Sequence, residues 1–382
     1  MLGSVFGLSI DFMAAGWLVL QLTNSPLSLG ATGLSQALPN IAFTSLGGAI
    51  ADRVNRAILI RATQCIYAML YAALGTLVVT ELVQVWHVFA FAFVFGAVRA
   101  FDSPSRQAII PLLVPEREIA AGVALINIVW LLPRLVGPAI AGVMIVAVGV
   151  GPTYYVAAAG MVIAVAMFCL MRLPDRPKSV VTTNVTRAIV EGFQYIRRDQ
   201  VVFALIVLTF FNSVFGMSYV FLMPVFARDI LNVGSEGYGL LQAFTAVGGI
   251  GGVLVAARLA TAGQQGLRSI IGAGVYGLLL MAFAISPWFG LSLGLNALIS
   301  AAHQVYMTII NAMLLIIVPD EYRGRVLGVY GLTWSLMPLG AAVMGFIAEF
   351  AGAPAAVLLG GGLVFVMAVI VAIAFPRARQ AQ

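Results

Sequence analysis

The chain has 382 residues, of which 62% are hydrophobic and only 9% are Asp, Glu, Lys or Arg, against about 45–50% and about 25% in an ordinary soluble domain. A soluble core cannot absorb that much apolar surface, so a water-soluble domain is excluded and the excess must face lipid and other helices. The net charge of +6 is spread over many short loops instead of one basic stripe, which removes the main reason to expect nucleic acid as a partner.

Hydrocarbon cannot satisfy backbone N–H and C=O groups, so a spanning chain is either helical or a closed barrel. Continuous apolar runs of roughly 20 residues favour helices over the alternating strands of a barrel. Taken in chain order, the runs between charged or Gly/Pro-rich breaks predict twelve spans. They cover 1–22, 29–50, 57–79, 86–108, 119–147 and 153–171, then 201–226, 237–259, 268–286, 289–316, 325–348 and 354–375. The expected class is an all-α polytopic membrane protein. The first run is not read as a cleavable signal peptide, and it lacks the basic flank usual at a cytoplasmic end; the expectation is an amino terminus shortened by a few residues. Cys65 and Cys169 fall in predicted spans without paired or metal-ligand spacing, so neither a disulfide nor a metal site is indicated.

With both termini inside, 17 of the 20 Lys and Arg residues are cytoplasmic, Arg228 is outside, and Arg99 and Arg134 lie within spans, the asymmetry that the positive-inside rule describes. The longest polar stretch, 173–200, acts as a cytoplasmic linker between an N-terminal half over 1–172 and a C-terminal half over 201–376, with a tail over 377–382. Ile189, Phe193 and Ile196 share one helical face of the linker among Arg187, Arg197 and Arg198, the pattern of an amphipathic helix lying on the inner leaflet. A solvated connector fits the same residues.

The two halves resemble each other. Val114, Pro115 and Glu116 recur 204 positions on as Val318, Pro319 and Asp320, and Gly137 with Gly142 recurs 203 positions on as Gly340 with Gly345. Six-helix repeats about an axis along the membrane normal are the plan of the major facilitator fold, in which two halves are related by pseudo-twofold symmetry and the site lies at the midplane.

Four motifs carry a resemblance to that superfamily. Gly47, Gly48, Asp52, Arg53, Asn55 and Arg56, between the second and third spans, resemble its loop signature G-x-x-x-D-R-x-G-R-[RK], with Asn55 in place of a glycine. In the fifth span Arg134, Gly137, Pro138, Ala141 and Gly142 are similar to the antiporter motif G-P-x-x-G-G, with Ala141 in place of a glycine. The stretches from Arg99 to Glu116 and from Val318 to Arg325 resemble the exporter branch that contains enterobactin-type siderophore and macrolide efflux proteins. The resemblance covers essentially the whole chain. It implies a secondary active transporter of the bacterial inner membrane, a monomer without cofactors. Such a protein works by alternating access and moves small amphiphilic molecules such as drugs or siderophores outward in exchange for protons. An importer of the same fold, or a non-transporting receptor or scaffold, is the alternative.

Charges inside the spans are the sharpest individual signals. If the first helix starts near position −3, as the shortened amino terminus implies, Asp11 and Arg134 fall at matching depths, about 21 and 22 Å from the cytoplasmic ends of their helices at 1.5 Å per residue. Either one unpaired in hydrocarbon costs at least about 2.5–3.5 kcal/mol, so a pair or a water-filled cavity is expected. Asp11 is read as a protonatable carrier responding to Arg134, or as half of a static ion pair. Asp102 is a partner either for Arg53 or Arg56 in a gating loop, or for Arg99 or Arg106 on its own helix. His303 suits proton handling or hydrogen-bonded packing. Asn127, Trp130, Asn212, Phe215, Gln304, Tyr306 and Asn311 are candidates to line a largely apolar cavity with a few polar anchors. No phosphate-binding G-x-x-x-x-G-K-[ST] loop is present and the single lysine is Lys178, which argues against ATP-driven export by this chain. Neither H-E-x-x-H nor G-x-S-x-G occurs, so no enzymatic site is indicated.

The orientation is testable. A cysteine introduced at position 178 should resist a membrane-impermeant maleimide added to intact cells and react once the cells are permeabilised. Labelling from outside would overturn the assignment.

Overall fold

The computed structural model describes residues 2–113, 119–170, 185–259 and 263–381. Some side chains inside helices fall outside that description, among them those of Asp52, Arg53, Arg56, Asn127, Trp130 and Arg134. Among the described residues all regular structure is helical, as expected where the backbone has no water to bond.

In order, α1 (Leu2–Thr23), α2 (Pro26–Arg53), α3 (Arg56–Val79), α4 (Val85–Leu113), α5 (Ile119–Val148) and α6 (Val150–Leu170) are followed by α7 (Val185–Arg198). Next, α8 (Gln200–Phe211) and α9 (Tyr219–Val225) form one rod interrupted by π-turns at Asn212–Gly216 and Phe226–Ile230. Then come α10 (Gly234–Leu259), α11 (Gln265–Ala284), α12 (Phe289–Ile317), α13 (Asp320–Ser335), α14 (Met337–Ala351), α15 (Ala353–Ala374) and the short α16 (Pro376–Gln380). α13 and α14 make a single span broken at Leu336. Pro338 in the first turn of α14 has no N–H to donate, and its ring excludes the carbonyl four residues back.

Each predicted span corresponds to one rod, with ends displaced by no more than five residues. Two ends are displaced by five residues, that of α4, which runs on to Leu113, and that of α13, which starts at Asp320. The carboxylates of Asp320 and Glu321 in its first turn favour a helix N-terminus, and so carry the helix beyond the apolar run. Ten rods among the described residues are long and apolar enough to cross a membrane. α2 and α5, of 28 and 30 residues, fill the two remaining predicted positions. Apolar side chains also point outward, and Phe350, for example, is 77% exposed, a placement that suits lipid.

Local sequence explains the ends. Ser25 caps α2 by accepting from the Ser28 N–H, Asn55 caps α3 by accepting from the Ala57 N–H at 2.9 Å, and Asp199 caps α8 by accepting from Val201 and Val202, each satisfying a donor left free in the first turn. Gly149 and Gly352, 203 positions apart, each link two consecutive rods with φ near 87°, a left-handed conformation that glycine adopts without strain. The internal repeat therefore extends to backbone geometry.

The chain divides into two compact units, one of Met1–Val181 with Val233–Ala243 and the other of Thr182–Asn232 with Phe244–Gln382. In the first, α2 packs along α4, α3 along α6, and α1 against α5 and α6. In the second, α11 packs against α12 and α15, and α7 lies on α13. That last contact is specific. Glu191 pairs with Arg325 at 3.0 Å, Tyr195 stacks on Tyr322 at 4.9 Å, and Gly192 has no Cβ to collide with the Arg325 carbonyl oxygen. The face expected to lie on the leaflet is divided as a result: Ile196 is buried and Phe193 is half exposed, while Ile189 lies outside the described side chains.

Close helix contact in the first unit depends on small residues. A Cβ on Gly96 of α4 would run into the backbone carbonyl of Gln36 on α2, whereas one on Gly290 in the second unit would meet nothing within 4 Å. Gly96→Val should therefore lose most folded protein, because overpacking at backbone contact typically costs about 1–3 kcal/mol or more. Gly290→Val should behave as wild type in fluorescence-detected size-exclusion profiles. Equal profiles for the two variants would contradict the packing.

Candidate functional site

Asp11 lies mid-way along α1, half-buried, facing the Tyr71 hydroxyl of α3 at a geometry short of a formed hydrogen bond. Its charge also reaches Tyr154 of α6. The Tyr71 and Tyr154 hydroxyls are buried without a hydrogen-bond partner among the described residues, and their rings are 6.2 Å apart. Phe95 of α4 packs beside them, 5.6 Å from Tyr71 and 4.5 Å from Tyr67. A carboxyl among phenols can hold either a proton or a negative charge, because a phenol accepts from a carboxylic acid and donates to a carboxylate. The expected Asp11–Arg134 pair falls outside the described residues, since the Arg134 side chain is not among them.

Two residues toward the start of α1, Ser9 abuts Gly137 of α5, where a Cβ would lie 2.8 Å from that of Ser9. Further along α5, Gly142 meets the start of α10: its Cβ would lie 2.6 Å from the Ser235 carbonyl oxygen and 3.3 Å from the Gly239 Cα. Pro138 is buried between them, and Trp17 of α1 stacks on Tyr238 of α10 at 6.4 Å. The Gly-Pro motif is thus where α1, α5 and the beginning of α10 come together, by the small-residue contact that lets backbones approach in a membrane.

Asp102 is buried in α4 and bound by Arg106, one turn away, at 2.6 Å. Its other oxygen accepts from Thr63 at 2.8 Å and Gln64 at 2.9 Å, both on α3, and Arg106 donates to Ser4 of α1 at 3.0 Å. The residues ask for more than a surface i, i+4 pair. Side chains of three helices are tied together by charge-assisted bonds in a medium without water. Gly48, in the last turns of α2, is partly exposed. Asn55 stands where the loop signature has glycine because it caps α3. The side chains of Asp52, Arg53 and Arg56 lie outside the described residues.

In the second unit the π-turn at Asn212–Gly216 directs Asn212 toward α12, where its side-chain amide is hydrogen-bonded to His303 Nε2 at 3.2 Å. His303 is enclosed by Tyr276 at 5.5 Å and by Tyr306 and Trp334 at 5.8 Å each. Asn212 Oδ1, Ser213 Oγ and the hydroxyls of Tyr276 and Tyr306 are buried without partners among the described residues. Of the cavity candidates, Asn212 and Tyr306 join this cluster. Phe215 instead packs on Phe211, Gln304 reaches Thr308 at 3.4 Å, and Asn311 is exposed. Asn127 and Trp130 lie outside the described side chains. A separate chain joins Tyr219 to Asn296 at 2.9 Å and Asn296 to Thr245 at 2.8 Å.

Sequence reasoning missed Tyr71, Tyr154, Tyr276 and Trp334, since aromatics in apolar spans read as packing. The internal repeat held the signal. Tyr71 and Tyr276 are 205 positions apart, while Arg99 and His303, and Asp102 and Tyr306, are each 204 apart, so applying the repeat to polar and aromatic positions would have paired them.

Apolar rods enclosing ionisable and polar side chains at mid-span define a polytopic membrane transporter of the major facilitator fold. The chain belongs to the transmembrane secretion effector family, whose model matches residues 1–381. It is similar to the multidrug efflux pump Tap of Mycolicibacterium fortuitum, 28% identical over 98% of this chain and 93% of the relative. The staphyloferrin A transporter of Staphylococcus aureus is 25% identical over 90% and 86%, and macrolide efflux protein A of Streptococcus pyogenes is 24% identical over 94% and 90%. Among solved structures, a bacterial homolog of the human lysosomal transporter Spinster, inward-facing and occupied, superposes with a TM-score of 0.76 at 14% identity, covering 99% of this chain and 96% of that one. A D-xylose–proton symporter gives 0.73 at 14% identity, covering 99% and 97%. These structures share the fold.

Breaking one side of the Asp102–Arg106 pair should be more harmful than removing both. Asp102→Asn leaves a buried guanidinium without its counter-ion, a change that typically costs about 3–5 kcal/mol. The double variant Asp102→Asn, Arg106→Gln should recover part of that loss in thermal unfolding of the purified protein. A single variant as stable as wild type would contradict the network.

Proposed function

We propose that the chain exports small amphiphilic molecules across the bacterial inner membrane in exchange for protons, as a monomer with both termini in the cytoplasm. The observation that carries this reading is Asp11, an acid held mid-way along a spanning helix beside two buried phenols without hydrogen-bond partners among the described residues. An ionisable group at that depth is expensive in a purely structural helix and has its natural use in moving charge. Relatives named for multidrug and macrolide efflux and for staphyloferrin A transport support outward movement of amphiphiles.

In this reading Asp11 takes up a proton from outside as substrate leaves and releases it inside as the next substrate binds, with Arg134 biasing its charge. The loop of Gly48, Asp52, Arg53 and Arg56 exchanges ion pairs between two states, the differential contact that a conformational change requires. Gly137, Pro138 and Gly142 allow the close helix packing that differs between those states. Asn212, Tyr306 and His303 supply polar anchors for substrate in an otherwise apolar cavity.

One charge moved through 100 mV is worth about 2.3 kcal/mol, enough for a concentration ratio of roughly 45-fold. Asp11→Asn removes titration while keeping the side chain's size. In proteoliposomes the variant should exchange a macrolide or lipophilic dye down its gradient yet fail to accumulate it when a pH difference is imposed. Undiminished proton-driven accumulation would exclude Asp11 as the carrier.

A further inference from the structure

A cleft of about 310 Å³ opens where α7 ends, α8 begins and α15 passes into α16, lined by Arg197, Gln200, Phe203 and Phe375. Its chemistry is two-sided. Phe203 and Phe375 form an apolar floor with rings 5.8 Å apart, and the exposed Arg197 and Gln200 side chains form a polar rim. The nearby acids are engaged elsewhere: Asp199 accepts from the α8 backbone, and Glu191 pairs with Arg325. Arg198 and Arg377, both exposed, add to the positive potential. The cleft also lies at the end of two spanning rods, at the depth where headgroups meet hydrocarbon. Val190 and Phe193 of the adjoining α7 are about half exposed at 49% and 50%, which suits an interfacial helix.

A guanidinium and an amide above an aromatic floor, at headgroup depth and with exposed Arg198 and Arg377 nearby, match an anion that carries hydrocarbon. We propose that this cleft seats an anionic phospholipid, phosphatidylglycerol in the simplest case. The phosphate lies on Arg197 and Gln200, and an acyl chain lies along Phe203 and Phe375. Basic pockets between spanning helices on the cytoplasmic side recognise acidic lipids in this way. The proposal stands apart from substrate and proton coupling, since lipid retention is measured without transport.

The full-length transporter in detergent is mixed with equal amounts of phosphatidylglycerol and phosphatidylethanolamine, and the retained lipid is counted by native mass spectrometry. Wild type should retain phosphatidylglycerol preferentially. Arg197→Gln should bind it about fivefold less, the equivalent of about 1 kcal/mol for one arginine near an anionic surface. Arg379→Gln, which removes a charge outside the cleft, should retain it as wild type does. Four results would overturn the proposal. These are equal retention of the two lipids by wild type, an unchanged Arg197→Gln variant, an equal loss in Arg379→Gln, and full displacement of the lipid by excess inorganic phosphate, which would mark a site for a free anion.

Discussion

Asp102 sits in a helix surrounded by hydrocarbon, and its two oxygens take up Arg106, Thr63 and Gln64 because lipid offers nothing in their place. The same requirement governs every polar group inside the spans, and it separates them into two kinds. The Asp102 carboxylate, like the Asn296 chain, has found partners from neighbouring helices, and such groups hold the fold in one arrangement. Asp11 with Tyr71 and Tyr154, and His303 with Asn212, Tyr276 and Tyr306, include hydroxyls and an amide oxygen without partners among the described residues. A buried donor left idle typically costs about 1–3 kcal/mol, so these groups gain when a proton or a polar ligand atom arrives.

Backbone geometry brings these groups into place. The π-turn at Asn212–Gly216 adds a residue to the helical turn and aims Asn212 at His303, a use of π-geometry common at functional sites. Gly216 within that turn has no side chain, and a Cβ there would approach the Tyr276 ring at 2.6 Å and both the Tyr276 hydroxyl and Asn212 Oδ1 at 3.1 Å. The first half is built on the same plan with a different residue: 205 positions earlier, as Tyr71 precedes Tyr276, the place of Gly216 is held by Asp11. One repeat presents an acid to its buried tyrosine, and the other presents a glycine and turns to a histidine and an amide.

Much of this was legible in the sequence. Apolar run length placed the rods seen among the described residues, since a spanning helix has few ways to end except at charge, glycine or proline. The loop and Gly-Pro motifs gave the family, and the rarity of charge gave Asp11. The partners of the buried charges were harder to read. Asp102 had candidates on its own helix and in the loop, and the contributions of Thr63, Gln64 and Ser4 depend on which faces of α3 and α1 turn toward α4, a matter of packing. The phenols around Asp11 and His303 were hidden for a related reason: in a chain with 11 tyrosines, a hydroxyl beside an acid and one at the lipid interface look alike until the helices are assembled. The linker sequence carries an amphipathic pattern, but the docking of α7 on α13 through Gly192 and Glu191 has no periodic signature.

The central claim is that proton and substrate act on one carboxyl, that of Asp11. Infrared difference spectroscopy of the purified transporter tests it directly, because a protonated carboxylic acid and a carboxylate absorb in separate bands. On addition of a transported amphiphile, wild type should lose a protonated-carboxyl band and release a proton to an indicator dye, and Asp11→Asn should do neither while still binding the ligand. The same band loss and proton release in Asp11→Asn would contradict the account.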